Sequence, residues 1–172
     1  MSNPKVELHI AQHGVITLEL DAEKAPKSVA NFLNYVSKGH YDGTVFHRVI
    51  ENFMVQGGGF DANYVQKKTR APVAHEGREA LAKGGPKNEV GTLAMARTND
   101  PNSATAQFFI NVKDNAFLDP NAQQPGYTVF GKVINGMDVV QKIKVTPTGP
   151  GGPFPSDVPK TPILINSATL VN

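Results

Sequence analysis

Residues 46–59 read Phe-His-Arg-Val-Ile-Glu-Asn-Phe-Met-Val-Gln-Gly-Gly-Gly and carry one cation, Arg48, in strand-like sequence. A guanidinium presents its donors in a planar fork and keeps its charge at any working pH. Phe46, Val49 and Ile50 supply apolar anchors, Glu51-Asn52 reads as a turn between two short strands, and Gly57-Gly58-Gly59 breaks the run as a tight turn. A hairpin of this kind sets a permanent hydrogen-bond donor close to the Phe53 ring, the Met54 thioether and the Gln56 amide. The same residues also fit a plain hairpin of a β-rich core carrying a solvated arginine.

Other chemistries lack their residue sets. His9, His13, His40, His47 and His75 are scattered, none belongs to a His-Glu-x-x-His pair, and there is no cysteine, so a zinc site is not expected. His47 alternates with Arg48 along the strand and should point away from it, as a hydrogen-bonded core histidine. Neither Gly57-Gly58-Gly59 nor Gly84-Gly85-Pro86-Lys87 continues into the Gly-Lys-Ser/Thr of a phosphate loop, and both read as tight turns. Ser103 follows Asp-Pro-Asn, ordinary turn chemistry, and neither it nor Thr105 sits in a Gly-x-Ser-x-Gly elbow, which argues against a hydrolase.

The elements that must position Arg48 are mostly short strands. Val6, Leu8 and Ile10 alternate with polar residues, as do Ile16, Leu18 and Leu20, and His13-Gly14 turns between them. Residues 21–39 predict a helix, with Pro26 in the first turn, Gly39 as the C-terminal cap and Val29, Phe32, Leu33 and Val36 as a stripe closing one end of a sheet. Residues 61–90 predict mostly loop, with a helical turn near 79–82. Strands are expected at 92–95, 107–111 and 128–133, with Phe108 and Phe130 as core, followed by a short helix from Gly136-Met137 to Ile143. Residues 146–162 read as Pro- and Gly-rich surface chain, and 163–171 alternate as a final strand. The sum is a mainly β fold, a closed antiparallel barrel of about eight strands capped by two helices.

Composition sets outer limits. The 172 residues suit one domain spanning 1–172, with 40% hydrophobic and 19% charged residues, ordinary for a globular protein. A net charge of +2, from 17 basic against 15 acidic residues, gives no reason to expect nucleic acid. No apolar run approaches the roughly 20 residues of a membrane span, so no membrane partner is expected. Met1-Ser2-Asn3-Pro4 has neither the basic nor the apolar region of a signal peptide, which favours the cytoplasm; the periplasm is the alternative if a signal was removed.

Further motifs keep a fixed order: Gly-Thr-Leu-Ala-Met-Ala-Arg-Thr at 91–98, Ser-Ala-Thr-Ala-Gln-Phe-Phe-Ile-Asn at 103–111, Phe117-Leu118-Asp119, and Val-Phe-Gly-Lys-Val at 129–133. With 46–59 they resemble the cyclophilins, the peptidyl-prolyl cis-trans isomerases, and the wording Met95-Ala96-Arg97-Thr98 is similar to bacterial members. The resemblance runs from about Val6 to the C-terminus. It implies a cofactor-free, metal-free rotamase, expected as a monomer, acting on proline-containing peptides and on unfolded or partly folded clients.

It also implies the roles. Arg48 would donate to the prolyl nitrogen, and Gln56 would hold Arg48 and touch the peptide. Phe53, Met54, Phe109 and Leu118 would form the socket for the proline ring. Ala96, Arg97, Thr98 and Gln107 would line the path of the preceding residues. Phe117 and Tyr127 stand where well-known eukaryotic cyclophilins have a tryptophan and a histidine, so cyclosporin should bind weakly while the Tyr127 wall survives. A binding module of the same fold would need the socket but not the donor, and a purely structural barrel would need neither.

Overall fold

Alternating apolar residues build the first hairpin of the computed structural model, which describes residues 3–171; Met1 and Ser2, the start of the stretch compared with a signal peptide, and Asn172 lie outside the described residues. Strand β1 (Lys5–Ile10) pairs antiparallel with β2 (Gly14–Leu20), and Val6, Leu8, Ile10, Ile16, Leu18 and Leu20 all point into the core. Helix α1 (Pro26–Ser37) has its proline in the first turn, and Gly39 follows in the left-handed region at φ +71°. The helix is shorter than 21–39 because Asp21 is still tied to the sheet, its N–H donating to the Phe130 carbonyl at 2.7 Å. The buried stripe is Val29, Phe32, Tyr35 and Val36, with Leu33 only partly covered. Phe32 plugs the barrel end, its ring 5.1 Å from Tyr41, 5.6 Å from Phe108 and 5.3 Å from Phe130.

The start of α1 is closed from a distance. Both oxygens of the buried Glu76 side chain accept first-turn backbone N–H groups, from Lys27 at 3.2 Å and Ser28 at 2.5 Å. Glu76 immediately precedes α2 (Gly77–Ala82), so one residue joins the 61–90 segment to the barrel cap. Glu76→Gln retains one acceptor for two donors, and a loss of about 1–2 kcal/mol is expected in a denaturant titration.

Strands β3 (Thr44–Ile50) and β4 (Met54–Asp61) form the hairpin read from 46–59. The three glycines do not end it. They lie inside β4, where a Cβ at Gly57 would stand 2.9 Å from the Val45 carbonyl oxygen and one at Gly59 would stand 2.5 Å from Gln107 Cγ. At Gly58, φ is +92° and a Cβ would stand 2.8 Å from the Tyr41 ring. Close approach within a bulged strand, not a turn, is what requires them.

The remaining elements are β5 (Thr92–Met95), β6 (Phe108–Asn111), a 3-10 turn (Ala116–Leu118), β7 (Val129–Asn135), α3 (Met137–Lys144), β8 (Thr148–Gly151), β9 (Phe154–Pro159) and β10 (Leu164–Val171). Eight strands close an antiparallel barrel in the order β1-β10-β3-β4-β6-β5-β7-β2, with α1 and α3 as its two main helices. Phe108 and Phe130 are fully buried, as expected. No helix among the described residues is long and apolar enough to cross a membrane.

Residues 146–162, read as Pro- and Gly-rich surface chain with no strand assigned, hold two: β8 and β9 make a separate two-stranded sheet. Its proline and glycine content hides the alternation, yet prolines are tolerated on a ribbon with free edges. Phe154 of β9 covers His47, which also packs on Phe60, with ring centroids at 5.2 and 4.6 Å. His47 is buried as expected, but its Nδ1 has no hydrogen-bond partner. Burial, reinforced by the Arg48 charge, pushes its pKa down to about 4, so the ring is a neutral packing element.

Candidate active site

Strand register makes the site. Arg48 lies opposite Gln56 in the β3–β4 pair, and Gln56 lies opposite Phe109 in the β4–β6 pair. With a period of two, Phe108 enters the barrel while Phe109 faces outward. Met54, Ala94, Ala96, Phe109, Leu118 and Val129, flanked by Ile50, Phe53 and Tyr127, form an apolar cluster separate from the barrel core. It surrounds a cavity of about 100 Å³ whose wall also includes Arg48, Gln56 and Arg97.

The polar groups are chained along one side of this cavity. Arg48 Nη1 donates to Gln56 Oε1 over a long 3.4 Å, and Gln56 Nε2 donates to Gln107 Oε1 at 2.9 Å. Arg48 itself is exposed, so its free donors can reach a bound molecule. Elsewhere in the wall, the Phe109 ring meets Tyr127 edge-on at 5.6 Å, and the Arg97 guanidinium lies 4.5 Å from the centre of the Tyr127 ring. Arg97 donates from Nη1 to the Thr98 carbonyl at 2.8 Å and from Nη2 to the Gly126 carbonyl at 2.6 Å. His75 also contacts the Gly126 carbonyl, at 2.9 Å, and burial lowers its pKa, with the Arg97 charge contributing.

A second cavity of about 320 Å³ adjoins the first and shares Gln56, Ala96 and Arg97 with it. Thr98 and Gln107 line this second space and not the first. Phe117 lines neither: it is 66% exposed and stacks on Phe53 at 5.6 Å, a rim residue beside the mouth. The other residues proposed from sequence, Arg48, Phe53, Met54, Gln56, Ala96, Arg97, Phe109, Leu118 and Tyr127, share the first cavity. Among the described residues no group of three or more His, Cys, Asp or Glu side chains could hold a metal ion.

Sequence reasoning missed several contributors. Gln66 and Thr69 of the 61–90 segment line the second cavity, brought there as the Lys67 N–H donates to the Gly59 carbonyl at 3.0 Å. Ser103 and Thr105 join them. Ser103 does behave as a turn residue, its Oγ donating to the Asp100 carbonyl at 2.6 Å, so its wall position had no local signal. Behind the first cavity three buried asparagines support the socket: Asn115 Nδ2 donates to the Phe53 carbonyl at 2.9 Å and Asn88 Nδ2 to the Leu118 carbonyl at 3.3 Å, with Asn111 between them.

Comparison with known proteins decides the family. The family described as cyclophilin type peptidyl-prolyl cis-trans isomerase/CLD matches residues 5–170. The chain belongs to the cyclophilins. Among curated cyclophilin relatives, the peptidyl-prolyl cis-trans isomerase cyp18 of Streptomyces antibioticus is 54% identical over 169 residues, covering 96% of this chain and 98% of the relative. Peptidyl-prolyl cis-trans isomerase B of Escherichia coli is 51% identical over 161 residues, covering 92% and 94%. A Cryptosporidium parvum cyclophilin type isomerase, solved by crystallography, shares the fold with a TM-score of 0.75 at 23% identity, covering 99% of this chain and 98% of that one. The same cyclophilin in the presence of the dipeptide Ala-Pro gives 0.74 at 24% identity, covering 98% and 99%.

Proposed function

We propose that this cyclophilin performs its family's reaction, cis-trans isomerisation of X-Pro peptide bonds, at the cavity bounded by Arg48 and Phe109, with Arg48 as the essential donor. A planar amide resists rotation with a barrier of roughly 18–20 kcal/mol. Cis and trans X-Pro forms are close in energy yet exchange over tens to hundreds of seconds. A catalyst must therefore bind the twisted amide more tightly than either planar form. Twisting makes the prolyl nitrogen pyramidal and restores its lone pair, which an exposed guanidinium at the cavity mouth can meet. No bond is made or broken, so the reaction needs no nucleophile and no cofactor.

The other residues divide the remaining work. Phe109, Met54, Phe53 and Leu118 hold the proline ring out of water, where polar interactions with the rotating amide are stronger. Gln107 fixes Gln56, and Gln56 orients Arg48. The preceding residues of the peptide pass over Ala96 and Arg97 toward the second cavity. Chains whose folding waits on a proline bond are the natural clients.

The observation that carries this reading is the continuous Arg48–Gln56–Gln107 chain beside the apolar cluster of Met54, Phe109 and Leu118 in one cavity. NMR exchange spectroscopy on a short X-Pro peptide, with a metal chelator present, tests it. Exchange should accelerate in proportion to protein added; an unchanged rate overturns the reading.

Cyclosporin should bind weakly, because Phe117 offers an exposed ring with no N–H donor. Phe117→Trp restores an indole N–H and should tighten binding by about tenfold, the value of roughly one hydrogen bond. Isothermal titration of both proteins checks this, and equal affinities would remove the argument.

A further inference from the structure

Arg97 is a cation held in place without a carboxylate. Two carbonyl oxygens and the Tyr127 ring fix its guanidinium, and its Nε is buried with no partner. Of its five N–H groups, one on each terminal nitrogen remains uncommitted. Among the described residues the one ion pair within 4.0 Å is His9 with Glu7, so no acidic side chain neutralises Arg97. The second cavity, which Arg97 lines, is otherwise built from Gln56, Gln66, Thr69, Thr98, Ser103, Thr105, Gln107 and Ala96, all uncharged. Lys68 and Arg70 flank Thr69 on the same segment and add positive charge. The carboxylate of Asp100, in the adjoining turn, is engaged by the Asn102 N–H at 2.9 Å.

A cavity with donors and hydroxyls, one fixed cation and no anion is complementary to a negative side chain. Because the guanidinium is already immobilised, little side-chain freedom is lost when an anion arrives. We propose that Arg97 is a specificity-determining residue that selects an acidic side chain, aspartate or glutamate, among the three residues preceding the proline. This rests on the isomerase reading and adds to it a substrate class: proline bonds preceded by acidic sequence. The Arg97 field extends to both cavities, so it should act on encounter as well as on the bound state.

The test is NMR exchange on peptides with Glu, Gln or Lys placed one, two or three residues before a single proline. At one of these positions kcat/KM should rank Glu above Gln above Lys, with Glu exceeding Gln by about fivefold. Raising salt from about 0.01 M to about 1 M shortens the Debye length from roughly 30 Å to roughly 3 Å and should shrink the ratio. Arg97→Gln should abolish the ranking, while Arg97→Lys should keep its sign. If Arg97→Gln proves inactive on every peptide, the double variant Lys68→Gln/Arg70→Gln decides: a ranking it keeps supports Arg97, and a ranking it loses overturns the proposal. Equal turnover of the three peptides by an active parent overturns the specificity proposal alone, as does a ranking that survives Arg97→Gln and so belongs to Arg48 or the Lys68–Arg70 segment. Failure of the parent to accelerate any peptide overturns the isomerase reading instead.

Discussion

Arg48→Ala is expected to leave a folded protein that still binds a proline peptide but exchanges it more than about a hundredfold more slowly. One hydrogen bond to a charged donor contributes about 1.5–3 kcal/mol, which corresponds to roughly a tenfold to hundredfold change in rate. The loss should exceed that range because the vacated site admits water to a cavity whose value lies in excluding it. Stability should hardly change: the Arg48 side chain is exposed, and its hydrogen-bond partner among the described residues, Gln56, retains Gln107. Arg48→Lys should rescue poorly, since a single ammonium cannot keep the Gln56 contact and reach the prolyl nitrogen in one planar fork. Phe109→Ala should behave differently, weakening binding and turnover together, because the ring is gripped in ground and transition states alike. Peptide affinity from NMR titration, set beside the exchange rate and circular dichroism of each variant, separates these outcomes. A folded Arg48→Ala protein that exchanges peptide at the parent's rate would refute the mechanism and leave a proline-binding module.

The Arg48–Gln56 pairing was readable in sequence because it depends on local periodicity. A hairpin turn at Glu51-Asn52 places Arg48 and Gln56 across from one another, and alternation alone separates Phe108 from Phe109. The C-terminal end of α1 followed from Gly39 in the same way, whereas its start, read at Asp21, lies at Pro26 because Asp21 is tied to the Phe130 carbonyl. What was not readable depends on distant contacts. Gly57, Gly58 and Gly59 look like a break until Tyr41, Phe108 and Gln107 are packed against them. His47 looks like a hydrogen-bonding residue until Phe60 and Phe154 enclose it. Gln66 and Thr69 reach the second cavity only because Lys67 is tied to Gly59, a link with no periodic signature.

The asparagines behind the socket are the other case of distant contact, and Asn111→Leu is expected to cost more stability than either Glu76→Gln or Arg48→Ala. Asn111 is fully buried at the end of β6. Its Nδ2 donates to Asn88 Oδ1 at 3.1 Å and to Thr92 Oγ1 at 3.0 Å, and its Oδ1 accepts from Asn115 Nδ2 at 2.8 Å. Leucine has similar volume but leaves the Asn88 oxygen and one Asn115 N–H without partners in a site closed to water. Each such orphan costs about 1–3 kcal/mol, so a loss of roughly 2–5 kcal/mol is expected. For a chain of this size that lowers Tm by about 5–15 °C. Thr92 should suffer least, because its hydroxyl keeps the Glu89 carbonyl at 2.7 Å. The functional consequence follows from what the neighbours hold: Asn115 anchors the Phe53 carbonyl and Asn88 the Leu118 carbonyl, two walls of the cavity proposed to take the proline ring. Loosening both should raise KM for an X-Pro peptide more than it lowers kcat, since Arg48 and Gln56 stand on β3 and β4, outside the network. Thermal unfolding together with concentration-dependent exchange rates checks the two halves separately. A variant that melts within about 2 °C of the parent, less than about 1 kcal/mol for a chain of this size, and binds peptide as tightly would show that the asparagines support neither the fold nor the socket.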